Sequence, residues 1–446
     1  MYNQIETING YLSNYILVFL LLGIGIWYTW KTRCIQVRCF KEGWKRIFSK
    51  QVTTKKGMNS FQALTTAIAA QVGTGNIIGS AGAILVGGPG AIFWMWVIAF
   101  FGMATVYAEA VLAIQTRIVQ KDGTILGGPV YYIRKAFQGK LGKFLAGFFA
   151  IAIIFALGFM GCMVQANSIG STFETAFSIP SWMVGMGLVV ACGFVFFSNM
   201  SRLASIVEKI VPIMAGFFLL GCIFILIQRI QYVPQAFMMI ITYAFCPQAI
   251  LGGSMGHALK QAISQGAKRG LFSNEAGMGS TPHAHAQADV QHPHDQGVVA
   301  IVGVFIDTFI VLTLNAFVII CTMYTKDGAL YTGTIPAGIE NTNLAQIAFS
   351  SVMGESIGSA FVAICLLFFA FSTILSWNMF GKINVEYLFG RKAVRYYSML
   401  SLAFIFIGTM VSNQLAWEIS DLFNNLMVIP NTLSLFVLTP FVIFTL

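Results

Sequence analysis

Charge is what this sequence has least of. Asp, Glu, Lys and Arg make up 9% of its 446 residues, and none occurs in the 52 residues from Gly57 to Ala108. Soluble domains carry about a quarter of their residues as charges. A water-exposed globular fold is therefore excluded, and the 57% hydrophobic content with a mean hydropathy of +0.77 describes a polytopic membrane protein. Other absences narrow the function. There is no His-Glu-x-x-His zinc motif, and no enzyme activity is expected. The eight cysteines form no C-x-x-C pair and mostly lie in apolar segments, as small buried hydrophobes do. No basic patch is interleaved with aromatics, so nucleic acid is not an expected partner. Met1 to Asn14 carries no Lys or Arg, which a cleavable signal peptide needs, so the first apolar segment is expected to stay.

What is present is a series of apolar runs. Segments of about 20 apolar residues suit a membrane-crossing helix, and eleven can be marked, with the count uncertain by one. They run Tyr11 to Trp30, Met58 to Leu85, Ala91 to Gln115, Phe144 to Gly170, Ser181 to Phe197 and Ile210 to Ile227. The others run Gln261 to Ala288, Gly297 to Met323, Gly358 to Phe380, Tyr397 to Val411 and Leu415 to Leu446. Pro430-Asn431 either kinks the last or divides it. Of the 26 basic residues, 21 fall in alternate loops: between Lys31 and Lys56, between Arg117 and Lys143, at Arg202 and Lys209, and between Lys382 and Arg395. Basic loops resist translocation, which makes that face cytoplasmic and puts the N-terminus outside a cell membrane. The expected organisation is one all-α transmembrane domain over residues 1–446: an extra helix and basic loop (1–56), a first five-span repeat (57–230) and a second, inverted repeat (248–446).

The first repeat opens on a contradiction. Gly73-Thr74-Gly75-Asn76 sits inside an apolar run, where lipid offers peptide groups no partner and irregular backbone survives only if protein, solute or ion satisfies it. The second repeat opens the same way, with Ser273 to Ser280 followed by Pro282. Interrupted spans at matching positions in two halves mark the binding site of a secondary transporter. A half-helix starting at Thr74 or Gly75 offers N–H groups to a carboxylate, and the half that ends there offers carbonyls to a hard cation such as sodium. Glycine permits the backbone angles, and Asn76 both donates and accepts. The competing explanation is a packing face, since Gly75 and Gly79 form G-x-x-x-G. A dinucleotide loop is excluded, because no strand precedes the glycines and the third comes one place late.

The stretch GGPGAIFWMWVIAFFG from Gly87 to Gly102 resembles the signature of the alanine or glycine:cation symporter family, also called sodium:alanine symporters. Val72 to Gly79 and Arg269 to Gly277 are similar to that family's other landmarks. The resemblance implies the five-plus-five inverted-repeat fold shared with the leucine transporter. It implies that the amides of Thr74 and Gly75, with Asn76 beside them, meet the substrate carboxylate. Phe272, Ser273, Asn274, Gly277 and Met278 would surround the rest of the substrate, with Gln165 and Trp377 as further pocket members. Sodium would take the carbonyls of Ala69 and Val72 and, on the ninth span, Phe369, Ser372 and Thr373. Independently of the family, Thr373 and Trp377 are four residues apart and share a helix face. Membrane hydroxyls also bond back to their own helix, and Trp377, close to Lys382, also suits the interfacial aromatic belt.

Glu109, Glu275 and Asp307 fall in or near spans, where ionisable groups are costly and face the interior. Either they cap broken helices and bridge to Arg117 or Arg269, or one carries a proton, Asp307 being the central one. His283, His285, His292 and His294 invite a metal site, yet their spacing suits a solvated helix end better. The expected function is a symporter importing alanine or glycine with sodium as coupling ion, without a cofactor. Proton coupling through Asp307 or Glu109 is the first alternative and a passive channel the second.

Overall fold

Where no water can satisfy peptide groups, an apolar chain closes its hydrogen bonds along itself. The computed structural model, which describes residues 2–48, 57–121, 123–198, 200–246 and 255–445, is accordingly a bundle of α-helices. Among the described residues, six helices are long and apolar enough to cross a bilayer: Gln4–Lys31, Gly90–Thr116, Gly139–Phe177, Arg202–Gln228, Pro293–Met323 and Glu355–Phe389. A seventh crossing is a broken pair, Ser60–Gln71 and Gly75–Gly87, bent by 46°. Shorter or more polar helices complete the bundle: Ser181–Phe196, Met255–Asn274, Ala393–Gly408 and Asn413–Val437. Large apolar side chains such as Phe19, Phe194, Ile213 and Leu220 remain exposed on the outer surface, which suits contact with lipid tails. Lys31 lies 4.3 Å over the Trp30 ring at one helix end, the pairing of cation and amphipathic ring found at membrane–water boundaries.

Two departures from the expected spans have physical reasons, and one point left open is decided. The run marked Gln261 to Ala288 is helical already at Met255 and stops at Asn274, because Glu275, Gly277 and Gly279 all take positive φ and turn the chain. Only a four-residue helix, Pro282–His285, follows. Val233–Phe245 and Leu344–Met353 are helices that the apolar-run criterion passes over, being 13 and 10 residues long. Asn413–Val437 continues through Pro430 as one helix, so that proline does not divide the last run. Part of the basic loop (49–56) and the start assigned to the second repeat (248–254) lie outside the described residues.

The breaks are built from local chemistry. Asn59 starts the first half-helix with a reciprocal cap: its side chain accepts from the Gln62 N–H (2.7 Å), and Gln62 accepts from the Asn59 N–H (3.1 Å). Next to this cap, Met58 pairs with the strand-like segment after the second break, through Met58 N–H to Gln287 O (2.9 Å) and Asp289 N–H to Met58 O (2.7 Å). One end of each broken segment is thereby tied to the other. Backbone of π type follows the first break (Gly75–Gly79) and recurs at Ile154–Gly161 and Phe305–Leu312, which carry Gly161 and Asp307. Such wider turns are concentrated at functional positions.

Candidate functional site

At the first break the backbone is satisfied by side chains rather than by its own helix. The Gly73 N–H donates to Asn76 Oδ1 (3.1 Å) and the Thr74 N–H to Gln165 Oε1 (3.2 Å). Asn315 covers the other half, its amide lying 3.1 Å from Asn76 O, 3.2 Å from Ile77 O and 2.9 Å from Ser80 Oγ. Thr74, Asn76 and Gln165 are fully buried, and Thr74 Oγ1 and Gln165 Nε2 have no hydrogen-bond partner among the described residues. Buried polar atoms without partners are uncommon in folded proteins.

The second break lies against the first. Gly75 is so close to it that a Cβ there would stand 3.1 Å from Ser273 Cα. Gln71 donates to Asn274 O (2.8 Å), and Asn274 reaches Thr308 Oγ1 (3.3 Å). Asp307 joins the two: one oxygen accepts from Asn76 Nδ2 (2.7 Å), and the carboxylate also takes Ser273 Oγ (3.0 Å) and Thr308 Oγ1 (2.8 Å). Phe272, Ser273 and Asn274 therefore stand beside Thr74, Gly75 and Asn76. Gly277 does not: its N–H goes to Glu109 (3.2 Å), its carbonyl accepts from Asn431 (2.9 Å), and its open side faces Leu21 and Thr105. Met278, though fully buried, follows Gly277 in the same turn, its N–H bonded to Glu275 O.

The oxygen atoms expected around sodium converge with one exception. Thr373 Oγ1 lies 2.8 Å from Ala69 O, 3.4 Å from Val72 O and 2.9 Å from Phe369 O. The Ser372 hydroxyl is instead directed to its own helix at Phe369 O (2.9 Å) and to Met214 Sδ (3.5 Å). Ala69 and Val72 offer their oxygens because the helix whose next N–H groups would donate to them ends at Gln71. Gly73 leaves no spare room here: a Cβ would fall 2.5 Å from Thr373 Oγ1 and 3.2 Å from Gln165 Oε1. Gly73→Ala should thus abolish uptake even if the protein is delivered to the membrane at normal level; wild-type rates in reconstituted vesicles would contradict this geometry.

Trp377 is buried rather than interfacial. Its Nε1 donates to Glu275 Oε1 (2.6 Å), its ring meets Phe272 edge-on at 5.8 Å, and a Cβ on Gly161 would strike it at 2.6 Å. Glu275 itself takes φ +57°, a conformation uncommon for residues other than glycine, and its second oxygen accepts from Ser280. The three membrane carboxylates thus sit at the breaks, as capping requires, but the bridges to Arg117 and Arg269 do not form. Arg117 reaches the carbonyls of Ala286 and Ala288, and Arg269, on the helix that leads into the second break, pairs with Asp421 (3.3 Å).

The histidine cluster also differs from a solvated helix end. His283 is buried between Phe149 and Phe380, bonded to Ser280 O and Asn384 (2.8 Å each), and His285 is buried against Gln296 (2.8 Å). Only His292 is exposed and His294 half-buried, since the chain after the second break folds back into the bundle. A literal G-x-S-x-G at Gly252 to Gly256 lies mostly outside the described residues, and the element described just before it is the helix Val233–Phe245, not the strand a hydrolase elbow needs.

Several residues at the site escape sequence reasoning. Asn315, Thr308, Gln71 and Asn431 each complete a break, and their one signal is a lone amide or hydroxyl inside an apolar run. Asn431 donates to Glu109 (2.7 Å) and Gly277 O and accepts from Tyr132. Asn431→Ala leaves that carboxylate short of a donor and should lower stability by about 2 kcal/mol, read as a lower melting temperature of the purified protein; an unchanged melting temperature would contradict the tether.

The two sides of the bundle are packed differently. A cavity of about 970 Å³ opens on the face of the basic loops, lined by Met58, Gln62, Met379, Lys382, Ile383 and Arg395 among others. On the other side the Phe272 ring packs on Trp417 at 4.5 Å, Arg269 lies 4.3 Å over Trp417, and Asp421 holds Lys268 (2.8 Å) and Arg269.

Comparison with known proteins gives the family and the fold. The sodium:alanine symporter family profile matches residues 1–446. The chain is 39% identical to the sodium/alanine symporter AgcS of Methanococcus maripaludis over 98% of its own length and 95% of that protein's. It is 39% identical to a putative sodium/proton-dependent alanine carrier, YrbD of Bacillus subtilis, over 98% and 90%. Among solved structures, that of MhsT in complex with L-phenylalanine superposes with a TM-score of 0.58 at 14% identity, covering 87% of this chain and 98% of that one, which identifies a common leucine-transporter-like fold. The chain belongs to the sodium:alanine symporter family and is a membrane transporter coupling amino-acid movement to a cation, not an enzyme.

Proposed function

We propose that the protein imports a small neutral amino acid, alanine or glycine, together with sodium, by alternating access. The observation that carries the sodium assignment is the convergence of the Ala69, Val72 and Phe369 carbonyls on the Thr373 hydroxyl. These are neutral oxygens without a carboxylate, the donor type that replaces the hydration shell of a hard monovalent cation. The ion would tie the end of Ser60–Gln71 to Glu355–Phe389 and set the adjoining Gly73-Thr74-Gly75 backbone. The substrate carboxylate would then displace Gln165 from the Thr74 N–H, leaving Gln165 free to bond the same carboxylate through its unpartnered Nε2. The close approach of Gly75 to Ser273 and of Gly161 to Trp377 favours a side chain no larger than methyl.

The basic loops are taken as cytoplasmic and the N-terminus as external, by the bias of Lys and Arg. In that orientation the open cavity faces the cytoplasm, while the Phe272–Trp417 stack and the Arg269–Asp421 pair close the outer side. The repeat boundaries 57–230 and 248–446 fit an arrangement in which each half begins with one break.

A second reading has its own observation. Asp307 is fully buried between the two breaks and accepts three side-chain donors, so it could carry a coupling proton instead. The discriminating experiment is uptake of labelled alanine into proteoliposomes with one gradient imposed at a time. Accumulation driven by a sodium gradient at equal pH supports sodium coupling; accumulation driven only by a pH gradient replaces it with the Asp307 reading.

A further inference from the structure

Away from the breaks, on the face of the basic loops, the structure brings together three side chains that transport does not use. Cys39 Sγ, a Glu42 carboxylate oxygen and a His294 ring nitrogen lie within 4.8 Å of one another. They come from two parts of the chain: Cys39 immediately precedes and Glu42 lies in the first turn of the amphipathic helix Phe40–Phe48, and His294 is in the first turn of Pro293–Val304. We propose that they form a site for a borderline divalent cation of the zinc class, which staples the arm Phe40–Phe48 to the long helix that carries Asp307.

The donor set is thiolate, imidazole and carboxylate, the three side chains zinc takes. In a tetrahedral site with zinc–ligand bonds of about 2.0–2.3 Å, neighbouring donors stand roughly 3.3–3.6 Å apart. His294 Nε2 is already 3.5 Å from Glu42 Oε2, so only the thiol must close in. The imidazole is prepared for this role. Its Nδ1 lies 2.8 Å from the hydroxyl of Tyr107, which is fully buried, and that partner fixes the ring with Nε2 towards the other two donors. Metal-bound histidines characteristically hold their second nitrogen this way.

The arm is also seated closely enough to make the site rigid. A Cβ on Gly43 would meet Val298 O at 2.4 Å, and the Phe40 ring contacts Phe305 at 4.8 Å. Glu42 is engaged by Arg46 (3.3 Å), but Arg46 also holds Asp295 at 3.0 Å and keeps that partner when Glu42 turns to a metal. Thiolate and carboxylate together neutralise the ion, and three protein ligands leave one position for water. A cytoplasmic location, as proposed above, would keep the Cys39 thiol reduced.

Cobalt(II) added to the purified full-length protein is the probe, because its thiolate bond gives a charge-transfer absorption that neither water nor carboxylate gives. One saturable equivalent, displaced by zinc, is expected. Cys39→Ser should remove the band, His294→Asn and Glu42→Gln should each weaken binding about tenfold or more, and Cys34→Ser, at an exposed cysteine outside the cluster, should leave it intact. Zinc should also slow hydrogen exchange across residues 40–48 in the wild type but not in Cys39→Ser. A band that survives Cys39→Ser, or no saturable band in a wild-type protein of normal melting temperature, overturns the site. Equal exchange with and without zinc overturns the staple. If Cys39→Ser fails to fold, the histidine and glutamate variants decide.

Discussion

Thr373→Ala is expected to raise the sodium concentration for half-maximal alanine uptake by about 10- to 100-fold, the loss of one oxygen bonded to a charged partner at about 1.5–3 kcal/mol. Thr373 is fully buried, and among the described residues its hydroxyl is the side-chain atom hydrogen-bonded to the Ala69 and Val72 carbonyls. Thr373→Ser keeps that oxygen and should retain most sodium affinity. Ser372→Ala is the informative companion, since the Ser372 hydroxyl is turned to Phe369 O and Met214 and not to the break. A modest effect is expected unless sodium rotates it inward. Initial rates over a sodium series, with choline keeping the ionic strength constant, measure all three. An unchanged sodium dependence in Thr373→Ala would remove the proposed cation site.

Asp307→Ala should lower uptake by about 100-fold or more. It removes the carboxylate that accepts from the Asn76 amide, which keeps only the backbone carbonyl of residue 307 (3.1 Å), and it leaves the Ser273 and Thr308 hydroxyls without their acceptor, at about 1–3 kcal/mol for each such buried group. The loss falls on both breaks at once, because Asn76 belongs to the first and Ser273 to the second. Asp307→Asn separates architecture from proton carriage. An amide preserves the acceptor for Asn76, and both hydroxyls can turn to accept from its NH₂. If sodium alone couples, this variant should still accumulate alanine against its gradient, within about tenfold of wild type, with no response to an imposed pH gradient. A variant that equilibrates alanine but no longer accumulates it would make Asp307 the coupling group.

How much of this was legible in the sequence depends on whether the signal is local. The break at Gly73 to Asn76 was visible because uncharged polar backbone inside an apolar run is an anomaly of sequence itself. The pairing of Ala69 and Val72 with Thr373, about 300 positions apart, came from the family resemblance rather than from spacing. The second break was placed correctly, but its extent was not: turn conformation at Glu275, Gly277 and Gly279 ends the helix outright, and Gly277 faces Glu109 and Asn431 instead of the first break. Burial of His283 and His285 was illegible, because it follows from the chain folding back after Pro282, where Phe149, Phe380 and Asn384 enclose His283 and Gln296 meets His285. Asn315 and Asn431 illustrate the remaining gap. Each is a single amide in an apolar stretch, and nothing in one sequence says which distant carbonyl or carboxylate it will satisfy.

The claim on which the account rests is that one broken helix holds a cation and a zwitterion side by side. Equilibrium binding of labelled alanine to the purified protein, measured as sodium replaces potassium, tests it most directly. Because coupling between two ligands is reciprocal, alanine affinity should rise with sodium, sodium affinity should rise with alanine by the same factor, and both effects should vanish in Thr373→Ala. Alanine bound equally well in sodium and in potassium would contradict the account.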